Sequence, residues 1–328
     1  MKPLRIVIYG GSGFIGTRLT ARLLKAGHEV RIADKAKSKK YPELWMQCDV
    51  RDLEQTTRAC QGMDLIYNLA AEHADNVSPL ELYYQTNVNG AEVVCKAAEA
   101  AGIDRIIFTS SVAIYGIPES ELDESAPPNP FNEYGRTKIL AEEVYQKWNA
   151  ADDKRRLTII RPTVVFGESN RGNFYQFLKQ LASSNFIMIG NGKNRKSIAY
   201  VENVAAFLEY VIPFEAHEEI YNYVDPHDLD MNDMVVLVRT ILGKPPKISC
   251  RLPYWLGYNA ARMLDCVACV TGRKLTISGV RVKKFCGSTL FSSKKAMSTG
   301  FVPPVNIREG LEQVIKAEFL EQASPPAT

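Results

Sequence analysis

The chain has 328 residues, of which 46% are apolar and 23% charged. That is the composition of a water-soluble globular protein large enough for one extended α/β unit with an added lobe. A net charge of +3 is too small to argue for a nucleic-acid partner, and the short run KAKSKK (35–40) reads as a solvated loop.

The seven cysteines (48, 60, 95, 250, 266, 269 and 286) are scattered, and no secretory leader opens the chain. Reduced thiols in the cytoplasm are the expectation. Cys266 and Cys269 form one C-x-x-C in an apolar helical stretch, with no second pair and only four dispersed histidines. They read as small core residues, and no metal site is expected.

Strand and helix alternate through the first half. RIVIYG (5–10), EVRIAD (29–34), LWMQCD (44–49), MDLIYNLAA (63–71), DRIIFTSS (104–111) and RLTIIRP (156–162) are apolar runs of strand length. Helical periodicity at 14–27, 52–60, 79–101 and 134–150 separates most of them. Repeated β-α-β units predict a doubly wound, Rossmann-type parallel sheet covered on both faces. Past residue 166 the rhythm changes. FYQFLKQLASS (174–184) and AYVENVAAFLEYVI (199–212) read as helices, and EIYNYV (219–224) as a strand rejoining the sheet. The expected division is a dinucleotide-binding domain over 1–166, to which 199–224 returns. A smaller, mostly helical substrate lobe spans 167–198 and 225–320, and 321–328 is a disordered tail.

GGSGFIG (10–16) falls where the first strand becomes the first helix. Gly10 permits the tight turn, Gly13 lets a pyrophosphate approach the backbone, and Gly16 lets the helix pack closely on the sheet. Phe14 and Ile15 open a helix whose free N–H groups suit an anion. Asp34 ends the second strand, 18 residues after Gly16. A carboxylate there binds ribose hydroxyls and repels a 2′-phosphate, which favours NAD over NADP. Lys35 follows directly and leaves NADP open.

NEYGRTK (132–138) places Tyr134 and Lys138 at i and i+4, on one side of a helix with Cβ atoms ~5–6 Å apart. A phenol titrates near ~10, so working near neutrality requires about 3 units, or ~4 kcal/mol, of differential stabilisation. A nearby ammonium acts in that direction.

In order along the chain, GGSGFIG, CDVRD (48–52), NLAA (68–71), TSSVAIYG (109–116), YGRTK and RPTVVFG (161–167) resemble the extended short-chain dehydrogenase/reductase superfamily of sugar-nucleotide epimerases and dehydratases. The resemblance covers roughly 4–320. It implies bound NAD, with Asp49 and Val50 at the adenine, Leu69, Ala70 and Ala71 along the cofactor, and Pro162 and Val165 beside the nicotinamide. It makes Tyr134 the base, Lys138 its partner and the holder of the nicotinamide ribose, and Ser111 the donor to the reacting oxygen, with Ser110 ranked second. Asn87 is expected to support the site from behind. Related dehydratases carry acids in the strand-5 motif. Here Val112 and Ala113 follow the serines and no acid precedes Tyr115, so a 4-epimerase or a keto-sugar reductase is favoured over a dehydratase.

AAEHADNVSP (70–79), RPTVVFGESNRGN (161–173) and VRVKKFC (280–286) resemble a bacterial group of 4-epimerases. These act on N-acetylglucosamine carried on undecaprenyl diphosphate, at the start of O-antigen synthesis. UDP-hexose or UDP-HexNAc 4-epimerisation and NAD(P)-dependent keto-sugar reduction are the alternatives. The resembling nucleotide-sugar enzymes place an Arg where Lys196 stands, with Arg195 one place off, and a lysine cannot grip a diphosphate bidentately. Arg281 is the leading diphosphate candidate, ahead of Lys196 and Arg171. Glu72 and Asn173 are candidates for the sugar. The stretch 252–272 is apolar but interrupted by Arg262 and Asp265, too broken to span a bilayer. It reads either as a lobe helix or as an interfacial helix beside a lipid-linked substrate. The implied location is cytoplasmic with peripheral contact on the inner membrane, and the implied assembly is a homodimer.

Overall fold

A computed structural model describes residues 2–74, 77–170, 172–183, 186–226, 229–248, 250–271 and 279–320. The chain builds β1 (Arg5–Tyr9), α1 (Phe14–Lys25), β2 (Glu29–Asp34), β3 (Trp45–Gln47), α2 (Leu53–Cys60) and β4 (Leu65–Asn68). Then come α3 (Glu81–Tyr83), a π-helical stretch (Tyr84–Asn89) and α4 (Gly90–Ala101). β5 (Arg105–Thr109), a 3₁₀ turn (Val112–Tyr115), α5 (Glu133–Ala150) and β6 (Arg156–Pro162) complete the first half.

The second half contains β7 (Val164–Phe166), α6 (Asn173–Ala182), β8 (Met188–Ile189), β9 (Ile198–Tyr200), α7 (Val201–Tyr210), β10 (Glu218–Tyr223) and α8 (Met231–Ile241). β11 (Arg251–Leu252), α9 (Tyr254–Thr271), α10 (Gly279–Cys286), α11 (Lys294–Ser298) and α12 (Ile307–Ile315) follow.

Seven strands form one parallel sheet in the order β10-β6-β5-β4-β1-β2-β3. Its strands are short, nearly continuous apolar runs because both faces are covered. One face packs Ile6, Ile8 and Ile32 against Leu19 and Leu23 of α1 and Phe207 of α7. The other packs Val7, Ile66 and Phe108 against Ala91 and Val94 of α4 and Tyr145 and Trp148 of α5. β10 pairs with β6 in register, Ile220 opposite Ile159, so the strand expected at 219–224 does rejoin the sheet. After β1 the chain runs outward to β2 and β3, then crosses back to β4. The crevice for a ligand opens at that reversal, beyond the carboxyl ends of the strands.

Two elements differ from the sequence pattern. The helix expected from 199 begins at Val201, because Ala199 and Tyr200 are taken into β9, which pairs with β7. The helix expected over 79–101 is divided by its π-helical stretch. Asn87 within that stretch is buried and turned toward the loop after β4.

Candidate active site

A cavity of about 640 Å³ lies along the carboxyl edge of the sheet. Its floor is the glycine turn. A Cβ at Gly10 would stand 2.7 Å from the Ala70 nitrogen, and one at Gly16 2.6 Å from the Gly11 Cα. Both positions are therefore closed to any side chain. At Gly13 a Cβ meets nothing nearer than the Gly10 carbonyl at 3.1 Å, and the residue lines the cavity. Phe14, Ile15, Asp34, Asp49, Val50, Leu69, Ala70, Ala71, Pro162 and Val165 line it too.

The cavity fits a dinucleotide in the donors and acids along its wall. The hydroxyls of Thr109 and Ser110 are buried at its wall with no hydrogen-bond partner among the described residues. Asp34 accepts the Ser12 and Ala36 backbone N–H groups at 3.1 and 2.9 Å. Asp49 is held by Arg51, with a shortest contact of 2.6 Å, and this pairing pulls its carboxyl below the usual range.

Ser111, Tyr134 and Lys138 come together at the middle of the cavity. Asn132 caps α5 by accepting the Gly135 N–H at 2.9 Å, which starts the helix with Tyr134 in its first turn. Ser111 caps the 3₁₀ turn, accepting the Ala113 N–H at 3.1 Å, and its hydroxyl bonds Tyr134. Desolvation pushes the Tyr134 phenol up to about 12, with the Ser111 hydrogen bond opposing it. Lys138 is 2% exposed; its Nζ donates to the Thr109 carbonyl at 2.8 Å and lies over the Phe108 ring. Burial brings it down to about 7, opposed by Glu142 one turn on. Behind Lys138, Arg161 grips Glu142 with contacts of 2.9 and 2.5 Å and donates to the Tyr115 hydroxyl at 2.6 Å. Asn87 donates to the Thr137 hydroxyl at 2.9 Å and accepts the Glu72 N–H at 2.9 Å, tying α5 to the loop after β4.

The substrate candidates fare differently. Ser110 lines the cavity. Lys196 does not: it is largely buried, and its Nζ donates to the Gly287 carbonyl at 2.5 Å. Its segment pairs with the one carrying Thr289, where the Ser197 N–H reaches the Thr289 carbonyl at 2.8 Å. Desolvation favours a carbonyl partner over a solvated phosphate-gripping role at this position. Glu72 does not line the cavity either, and its carboxylate holds Lys35 Nζ at 3.1 Å. Arg171 and the side chains of Asn173 and Arg281 lie outside the described residues, as do the side chains of Cys266 and Cys269 and the 321–328 tail.

Sequence reading missed His73, Phe131, Asn170, Thr289 and Phe291, all of which line the cavity. Phe131 stands three residues before Tyr134 and was open to notice. Thr289 and Phe291 arrive from the far end of the chain, which no local pattern reveals.

α9 packs through Gly257, where a Cβ would meet Ile189 at 2.6 Å, and through buried Ala261. Its outer side leaves Trp255 64% and Met263 72% exposed, with Leu256 and Leu264 beside them. Among the described residues no helix is long and apolar enough to cross a membrane.

A family model described as the NAD dependent epimerase/dehydratase family matches residues 6–223. The N-acetyl-alpha-D-glucosaminyl-diphospho-ditrans,octacis-undecaprenol 4-epimerase of Escherichia coli O157:H7 is 46% identical over 96% of this chain and 95% of its own. Among solved structures, UDP-N-acetylglucosamine 4-epimerase from Bacillus cereus superposes with a TM-score of 0.74 at 16% identity, over 95% of this chain and 98% of that one. The UDP-glucose 4-epimerase of Thermus thermophilus, solved with NAD, gives 0.72 at 22% identity, over 96% and 98%. At these identities the structural likenesses speak to the fold.

Proposed function

The chain belongs to the NAD dependent epimerase/dehydratase family, and from that premise we propose that it is a 4-epimerase interconverting GlcNAc and GalNAc on undecaprenyl diphosphate. The near full-length likeness to the E. coli O157:H7 enzyme carries the substrate assignment. The hydrogen-bonded Ser111–Tyr134 pair, with Lys138 one turn away, supports the chemistry.

The Gly10–Gly16 turn, Asp34 and Asp49 would hold NAD, which when bound would supply hydride acceptance and return at C4 and a positive charge favouring the phenolate. Tyr134 takes the proton of the C4 hydroxyl and later gives it back to the same oxygen. Ser111 donates a hydrogen bond to that oxygen while its charge changes. Lys138, in its cationic form, would favour the phenolate and would hold a ribose hydroxyl of the bound dinucleotide. The protein's part between the two proton transfers is to let the 4-keto sugar turn over inside the cavity. No acid stands between Ser111 and Tyr115 to eliminate water, which argues against dehydration.

A polyprenyl carrier keeps its sugar at the bilayer surface. We assign the outer side of α9 to that surface: Trp255, Leu256, Met263 and Leu264 form an apolar row, with Lys283 exposed on neighbouring α10. The implied setting is peripheral attachment at the cytoplasmic face, in the synthesis of a surface polysaccharide.

The test is a matched assay on purified protein with no cofactor added. GlcNAc is offered on polyprenyl diphosphate and, separately, on UDP, and GalNAc is followed by chromatography. GalNAc from the lipid-linked sugar is expected. GalNAc from the UDP sugar alone overturns the carrier assignment. Product only on adding NADPH, consumed one for one, points to a reductase.

A further inference from the structure

Three acids and two cations surround the end of the cavity where β2, β3 and β4 finish. Asp34 and Asp49 line it, and Glu72 stands between two lining residues, Ala71 and His73. Each acid has its own partners. The Asp34 carboxylate accepts only the two backbone N–H groups of Ser12 and Ala36 among the described residues. Asp49 holds Arg51 through three contacts of 2.6 to 3.1 Å. Glu72 holds Lys35 at 3.1 Å.

That last pair joins loops that are not neighbours. In the sheet order β4-β1-β2, Lys35 directly follows β2 and Glu72 lies past β4, so the bridge crosses the carboxyl end of β1, above the Gly10 turn. The two partners are unequal. Asn87 fixes the Glu72 backbone at both ends, accepting its N–H at 2.9 Å and donating to its carbonyl at 3.1 Å. The Glu72 side chain is 26% exposed and that of Lys35 is 66%. Glu72 therefore decides where the Lys35 ammonium goes. Arg51 is gripped directly by Asp49 and feels Glu72 only through its charge, so Lys35 is the cation at this end that Glu72 holds in a direct ion pair.

A lysine next to the ribose-binding acid is the natural recruiter of a 2′-phosphate. We infer that Glu72 acts as a specificity-determining residue: it occupies Lys35 in an ion pair across the adenosine site and so disfavours dinucleotides bearing a 2′-phosphate. The inference rests on the cofactor reading above. It concerns a residue apart from Asp34, whose repulsion acts directly on the phosphate.

The experiment is competition between NAD⁺ and NADP⁺ for the intact protein, with the bound dinucleotide released by denaturation and identified by chromatography. Glu72→Gln keeps both backbone contacts to Asn87 and removes the charge. It should raise retention of NADP⁺ relative to NAD⁺ about five-fold, the scale of one exposed ion pair. Adding Lys35→Met to that variant should abolish the gain. A loosened loop would weaken both dinucleotides alike and leave their ratio unmoved. An unchanged ratio in Glu72→Gln, or a gain that survives Lys35→Met, overturns the inference while NAD binding stands. Failure of the unsubstituted protein to retain either dinucleotide overturns the cofactor reading and this inference with it.

Discussion

The base role proposed for Tyr134 requires it to release a proton near neutral pH, whereas desolvation pushes its phenol up to about 12. Ser111 opposes that elevation and desolvation outweighs it, so the remaining stabilisation has to come from cations at the cavity. Tyr134→Phe is expected to lower turnover by roughly 10²–10⁴-fold while leaving dinucleotide binding intact, as read by bound-cofactor analysis and an epimerisation assay. Undiminished turnover would remove Tyr134 from the chemistry. Lys138 shows the cost of placing a cation here. Burial brings it to about 7 against an ordinary 10.5, with Glu142 opposing. Between those two values the unfolded chain binds the proton that the folded chain has released. Stability from this group therefore rises with pH across that window and is lowest below it. Lys138→Met should flatten the rise in melting temperature between pH 7 and 10 and abolish activity. A slope unchanged by the substitution would show that Lys138 is not the group titrating.

At the level of elements, α5 brings Tyr134 to Ser111 only because Gly135 lets it touch the 3₁₀ turn. A Cβ there would stand 2.5 Å from the Ala113 carbonyl and 3.0 Å from the Pro130 Cβ. Gly135→Ala should push the helix off the turn and cost about 1–3 kcal/mol of stability. Activity should fall on the order of 10²-fold, since a shift of about 1 Å suffices. Full activity with a normal melting temperature would mean that the contact relaxes freely. The Arg161–Glu142 pair anchors the same helix to β6, with side chains only 8% and 5% exposed. Arg161→Met leaves a buried carboxylate unpaired and should cost roughly 3–5 kcal/mol in denaturant unfolding. Asn87 was expected as a support from the family resemblance. The π-helical stretch that aims it at Glu72 and Thr137 was not, because hydrophobic spacing over 79–101 reads the same for a continuous helix.

For the whole molecule, the open question at its surface is α9. Its sequence permitted either a lobe helix or an interfacial one, and the fold seats one side on the lobe and leaves the other exposed. Gly257 and Ala261 seat it on the lobe while Trp255 and Met263 point outward. Replacing Trp255 and Met263 together by Glu should abolish sedimentation with anionic phospholipid vesicles, with no change in melting temperature. Retained vesicle binding would refute the assignment. A variant that instead changes oligomeric state would make this face an interface between two copies of the chain.

Ser111 came from the family resemblance, whereas the alternating strands, the glycine turn and the i, i+4 pairing of Tyr134 with Lys138 were legible in the sequence alone. Each depends on spacing within one β-α unit, and local backbone geometry fixes what such spacing places together. Lys196 and Glu72 were beyond it. Whether a charged side chain turns to a ligand, a carbonyl or another charge depends on what distant segments bring within about 3 Å of it. The Gly287 carbonyl lies 91 positions from Lys196, and Lys35 lies 37 from Glu72. Thr289 and Phe291 reached the cavity for the same reason: only closure of the C-terminal segment over the sheet edge brings them there.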